Sequence, residues 1–218
     1  MQNNRLHAEN RRTAGILLAQ KLATLDLYNA VVVGVPHGGV CVAAEVADYF
    51  HLPLDVMMCR KISDPSDHSR TIGSVSRNEI VMHDQNGSIP QDYLYFQTIR
   101  LKNEIKFDND FYYAEEPKLD FGFKTVILVD DILTSADTLL ACIREIRNQG
   151  ALKIIVAVPF VQSHAATIIQ REVDDLVFLR IQQSIHSPTE YYSDFPEVKA
   201  WTVRKLLRRS RLNSVTTN

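Results

Sequence analysis

The sequence predicts an α/β fold: a doubly wound, mostly parallel sheet with flanking helices and a mobile loop or hairpin. Three observations lead there. Short β-branched runs alternate with stretches of helical period along most of the chain. Several of the runs are continuously apolar, as strands buried on both faces are. Two of them pass straight into turns, one rich in glycine and one in aspartate and hydroxyl residues, and a helical pattern follows each.

Residues 5–24 place Leu6, Ala14, Leu17, Leu18 and Leu22 at helical spacing. "AVVVGV" (30–35) is the first strand, "PHGG" punctuates it, and 40–50 reads as a helix. "PLDVMMC" (53–59) is the second strand. Residues 60–90 are polar and lack a helical period, but "TIGSVSRNEIVMH" alternates enough for a hairpin. A helix is expected over 91–107, a third strand over 124–129, and a helix over 135–150 that stops at Gly150. Two more strands, 153–160 and 175–180, bracket another helix. The expected organisation is one domain over 1–210, with 60–90 as the mobile loop or hairpin and 211–218 as a disordered tail. The basic run before that tail reads as a solvated helix end.

Composition narrows the function. With 45% hydrophobic and 23% charged residues, a chain of 218 residues can bury a sizeable core. A formal net charge of −2 supplies no global field toward nucleic acid or membrane. Cys41, Cys59 and Cys142 form no C-x-x-C pair, which argues against a disulfide framework or zinc ribbon and suits a reducing cytoplasm. The N-terminus lacks the apolar stretch of a signal peptide, and no run of about 20 apolar residues is present. A cytoplasmic protein is therefore expected, without nucleic-acid or membrane partners.

The chemistry concentrates in the two turns. Pro36-His37-Gly38-Gly39 follows the first strand, and Asp130-Asp131-Ile132-Leu133-Thr134-Ser135-Ala136-Asp137-Thr138 follows the third. In open α/β sheets ligands bind beyond the carboxyl ends of strands, and a helix N-terminus offers unpaired N–H groups to an anion. Helix capping accounts for part of the second turn, since Thr134 and Asp137 have the spacing of a capping box. Capping does not account for Asp130 and Asp131. Adjacent carboxylates repel, and burial adds to the cost, so a cation or a pair of sugar hydroxyls is the natural counterpart.

These residues resemble the PRPP-binding motif of the type I phosphoribosyltransferases, PRPP being 5-phosphoribosyl-1-pyrophosphate. "NRRTAGILLAQKL", "VVVGVPHGGVCVAAEVADYFHLPLDVMMCRKISDP", "TIGSV", "VILVDD", "IIVAVPF" and "YYSDF" also occur in the order found in a bacterial branch of predicted phosphoribosyltransferases. The resemblance covers about residues 10 to 207. It implies that Asp130 and Asp131 bind the ribose hydroxyls and stabilise charge as the C1–pyrophosphate bond opens. It implies a 5′-phosphate cradle from Thr134, Ser135, Ala136, Asp137 and Thr138, and a pyrophosphate loop from Pro36, His37, Gly38 and Gly39. Arg60 and Lys61 would neutralise pyrophosphate, and residues 63–80 would close over the reaction. Mg²⁺ would be held mainly through PRPP. The acceptor is an unknown nitrogenous molecule, and a homodimer is an expectation of resemblance alone.

The chain departs from that pattern at several positions. Ala136 stands for the usual glycine of the cradle and must adopt a backbone that alanine tolerates. Asp137 brings a negative charge where a phosphate is expected. At ~4 Å and a dielectric of ~20 each unit pair repels by roughly 4 kcal/mol, against the ~0.3–2 kcal/mol a helix N-terminus returns. The expectation is that Asp137 caps the helix and turns outward. His37 replaces an arginine, Ser69 stands where an acidic residue is expected, and Thr134 takes the place of an aspartate common in purine-salvage enzymes. The alternative reading is a non-catalytic relative that senses PRPP or a nucleotide, or binds a partner. A hydrolase of phosphate esters is the third. Tyr191, Tyr192 and Phe195 are read either as a hood over an aromatic acceptor or as core, and His164 and His186 as structural or exposed.

Overall fold

A computed structural model of the protein describes residues 7–68, 70–82, 89–113 and 118–215, with the side chains of 213–215 excepted. A parallel sheet carries the fold, built from β1 (Ala30–Gly34), β2 (Leu54–Val56), β6 (Thr125–Val129), β8 (Lys153–Gln162) and β9 (Asp175–Gln182). The spatial order is β2-β1-β6-β8, with β9 on the far side of β8, and every pairing is parallel. The inner apolar runs form the expected strands because they are covered twice, whereas β9, at the sheet edge, is only partly buried. Val32, Ile127, Val129 and Ile155 face the layer of α1 (Arg11–Leu22), α2 (Gly38–Phe50) and α6 (Ala200–Val215). Val33, Val126, Leu128 and Val156 face α4 (Asp137–Asn148) and α5 (Ser163–Ile169). Successive side chains point to opposite faces, so continuous apolar sequence is what two-sided burial requires.

Boundaries shift in ways that have local causes. α1 starts at Arg11 because the Asn10 side chain accepts from the Thr13 N–H at 3.0 Å, an N-cap. Upstream, Ala8 bridges Tyr192 in extended conformation. Helix α3 runs over Gln91–Tyr113, beyond the expected end. The hairpin expected in 71–83 is found as β4 (Thr71–Val75) and β5 (Ile80–Met82), and β3 (Arg60–Ser63) joins it to make a three-stranded antiparallel sheet. The tail expected from 211 begins as helix, since α6 continues to Val215. Ser69 lies outside the described residues. Among the described residues no helix is long and apolar enough to cross a membrane.

A second element, besides β3, has no counterpart in the sequence reading. β7 (Ile132–Leu133) pairs with Phe160 and Val161 of β8, in line with β6. The chain therefore stays extended for two residues beyond the aspartates before turning into α4. That small extension decides the geometry of the site.

Candidate active site

Gly34 and Val129 are register partners at the carboxyl ends of β1 and β6. The Val35 N–H then donates to the Val129 carbonyl at 2.9 Å, so the two chains leave the sheet side by side. From β1 the chain crosses to β2 on one side, and from β6 to β8 on the other. The two turns thus flank the point where the strand order reverses, the usual ligand crevice of such sheets.

The turns touch through the glycines. A β-carbon on Gly38 would lie 1.9 Å from Asp131 Oδ2, and one on Gly39 would lie 2.8 Å from both Asp130 Cα and the Val129 carbonyl. No side chain fits at either position. His37 is exposed, precedes α2 without a side-chain cap, and is joined to the half-buried Pro36 by a cis peptide.

Asp131 is buried against a residue 120 positions away. Arg11 Nε donates to Asp131 Oδ2 at 2.7 Å, with both residues no more than 9% exposed. The Asp131 carbonyl accepts from the Tyr192 hydroxyl at 2.7 Å, and the Asp131 N–H donates to Asp130 Oδ1 at 2.8 Å. Burial, and after it the Asp131 charge, push the Asp130 carboxyl well above the usual carboxylate range, while the Asp131 N–H and Arg11 act in the opposite sense.

The second turn corrects the capping expectation. Because β7 holds the chain extended through Leu133, α4 starts at Asp137, and its N-cap is Ala136 with no side-chain hydrogen bond. Thr134 is exposed and two residues short of that N-cap, so no Thr134–Asp137 capping box forms. Ala136 has φ −76°, an ordinary value for alanine, and its methyl is buried. Asp137 turns back along the loop, where its Oδ2 accepts from Ser135 Oγ at 3.1 Å. Thr138 follows in the first turn of α4.

The antiparallel sheet brings a cation to this loop. Lys61 Nζ, on β3, donates to Ser135 Oγ at 3.0 Å. Arg60, expected beside it, faces the other way and ion-pairs with Asp108 of α3, because neighbouring residues on a strand point to opposite sides. The sheet is docked on α4 by polar contacts. Ser74 Oγ donates to the Asp137 carbonyl at 2.6 Å, Ser76 Oγ to Glu145 Oε2 at 2.6 Å, and Asn78 Nδ2 to Glu145 Oε1 at 2.6 Å. Burial acts to raise the Glu145 carboxyl, but these bonds and one from Gln149 outweigh it and leave it below its ordinary value. Cys59 is buried with its Sγ 2.9 Å from that of Cys142 on α4.

Sequence reasoning assigned no role to Arg11, although it lies in the quoted stretch "NRRTAGILLAQKL" and opens α1. It also left Tyr191, Tyr192 and Phe195 open between two roles. Tyr191 and Tyr192 are buried around Phe160, with ring centroids 5.0 Å apart in each case. Phe195 stacks on the Arg11 guanidinium, 3.6 Å from ring centre to Cζ. His164 and His186 are exposed. Among the described residues no three or more His, Cys, Asp or Glu side chains converge on a metal position.

The crevice therefore joins two helix N-termini free of side-chain caps, one lysine and a pair of carboxylates. The N-termini and the lysine suit anionic groups, and the carboxylates suit hydroxyl donors. The solved structure of TT1426 from Thermus thermophilus superposes with a TM-score of 0.82 at 31% identity, covering 93% of this chain and 98% of that one. The Mycobacterium tuberculosis protein named "Putative phosphoribosyl transferase Rv0571c" is 26% identical over 206 residues, which cover 93% of this chain. The chain spans 46% of that relative's length, so the relative is about twice as long. The family profile described as Phosphoribosyl transferase domain matches residues 3–195, nearly the whole folded chain, and the protein belongs to that family.

Proposed function

We propose that the protein binds PRPP between the two turns and transfers its phosphoribosyl group to a nitrogenous acceptor, releasing pyrophosphate. The observation that carries this reading is the contact of Gly38 and Gly39 with Asp130 and Asp131 at the mouths of two adjacent strands. A ligand in that crevice meets an anion-ready turn on each side and carboxylates in the middle, the order of charges along PRPP itself.

In this assignment the first turn of α4 and Lys61 take the 5′-phosphate. Gly38 and Gly39 let the pyrophosphate approach the α2 N-terminus. Asp130 and Asp131 accept hydrogen bonds from the ribose hydroxyls. As the C1–oxygen bond breaks and the C1–nitrogen bond forms, positive charge grows on the ribose, and the two carboxylates stabilise it without moving. The electron pair leaves with pyrophosphate, and the proton of the acceptor nitrogen passes to the departing pyrophosphate or to water. A divalent cation carried in with the ligand would supply charge neutralisation for the leaving pyrophosphate. The rest of the effect is positioning.

The Asp137 carboxylate beside Ser135 favours a second reading, a relative that binds a nucleotide or PRPP without turnover, because it places negative charge in the cradle. Calorimetry with PRPP, with and without Mg²⁺, followed by a pyrophosphate-release assay against a panel of nitrogenous bases, tests both. Mg²⁺-dependent binding with pyrophosphate release supports transfer. Binding without release supports the second reading, and no binding overturns both.

A further inference from the structure

We propose that Arg11 is a positioning residue of this site, whose guanidinium fixes the Asp131 carboxylate and supplies the charge that lets Asp130 and Asp131 together receive the two hydroxyls of a sugar phosphate. The hydroxyl-bearing ligand rests on the function proposed above. The arrangement of Arg11 itself does not.

Three contacts hold the guanidinium. Nε donates to Asp131 Oδ2 at 2.7 Å, Nη1 donates to the Pro196 carbonyl at 2.7 Å, and the Phe195 ring lies 3.6 Å from Cζ. The side chain is thus clamped between α1, the second turn and the segment before α6, three pieces of chain far apart in sequence. A surface arginine needs none of this. Moreover, space for the pair is taken from position 38, where a β-carbon would lie 2.7 Å from Arg11 Nε as well as against Asp131. The absent side chain at Gly38 and the ion pair are one design.

The need for a cation follows from the surroundings. Two adjacent carboxylates out of water repel, and either ionises readily only if charge is supplied nearby. Among the described residues, Cys41 of α2, Cys142 of α4 and Tyr192 also interact with the pair. Burial, the largest cause in each case, raises all three, so they are neutral near pH 7 and supply nothing. Among the described residues, Arg11 is a cation in direct contact with Asp131. Its planar fork also fixes which Asp131 oxygen it occupies, Oδ2.

Carboxyl ¹³C NMR titration of the ligand-free protein tests this, on wild type, Arg11→Lys and Arg11→Gln, with circular dichroism confirming the fold. In Arg11→Gln the titration of the aspartate pair should rise by about 1–3 pH units. Arg11→Lys should restore most of the difference. The acid limb of PRPP binding should move with it. An Arg11→Gln titration unchanged from wild type in a folded protein overturns the proposal, as does a lysine variant that behaves like the glutamine one. If Arg11→Gln does not fold, Phe195→Leu, which keeps the charge and removes the stacking ring, should show a smaller rise and weaker binding, and no change in either overturns the proposal. Failure of wild type to bind PRPP at any pH would overturn the ligand assignment and leave the ligand-free titration to decide the role of Arg11.

Discussion

Gly38 lies so close to Asp131 that a β-carbon at position 38 would fall 1.9 Å from Oδ2 of that carboxylate. The two residues come from different turns, 93 positions apart by numbering, and their contact makes the turns one site. Gly38→Ala should therefore displace Asp131 or the start of α2. We expect a loss of about 1–3 kcal/mol, as for other overpacking changes, together with loss of PRPP binding. Thermal unfolding and calorimetry on the same sample check both, and a variant with wild-type stability would mean the turns do not pack this tightly.

Asp130→Asn should stabilise the ligand-free protein near neutral pH while abolishing turnover. The sign follows from the direction of the shift. A carboxyl whose folded pKa is raised binds its proton more tightly when folded, so stability is present below the ordinary aspartate range and lost as pH climbs toward the folded value. Asparagine keeps the acceptor for the Asp131 N–H without that charge. Melting curves from pH 4 to 8 should converge at the acid end and separate at the neutral end, with the variant higher.

Glu145 has the opposite sign. Hydrogen bonds from Ser76, Asn78 and Gln149 hold its folded pKa below the ordinary value despite burial. Its stabilisation is present above about pH 4.5 and disappears as pH falls through the lower folded value. Because Ser76 and Asn78 lie in the turn that joins β4 to β5, amide exchange in β4 and β5 should rise on acidification before the parallel sheet responds. Glu145→Ala should produce the same local opening at neutral pH, at a cost of about 1–3 kcal/mol.

Tyr192→Phe should cost about 1–3 kcal/mol, because the buried Asp131 carbonyl loses its hydroxyl donor and nothing replaces it. The phenylalanine ring still packs on Phe160, so the fold should persist. Chemical denaturation measures the loss, and a neutral outcome would show that the carbonyl finds another partner.

Lys61 is exposed, and its contact is with the Ser135 hydroxyl, so Lys61→Met should leave the melting temperature within the error of surface substitutions. PRPP binding should weaken about tenfold at low salt, with the difference shrinking as ionic strength rises. Equal binding at all salt concentrations would remove Lys61 from the phosphate site.

The sequence by itself determined the parallel sheet, because runs such as Ala30–Gly34 and residues 126–129 are apolar at every position and must be covered twice. It also marked the two turns, since paired glycines and paired aspartates at strand ends have local physical consequences that can be read in order along the chain. What belongs to one segment was legible, and what joins segments was not. The capping box was misplaced because β7 is held by β8, a pairing partner some 28 residues away that no local pattern announces. Arg60 and Lys61 were expected together and face apart, because the chain there is a strand, β3, whose neighbouring residues point to opposite sides. Arg11 carries no local signal of its role. A polar residue opening a helix is ordinary in sequence, and only the tertiary packing of α1 against the second turn and Phe195 brings its charge onto Asp131.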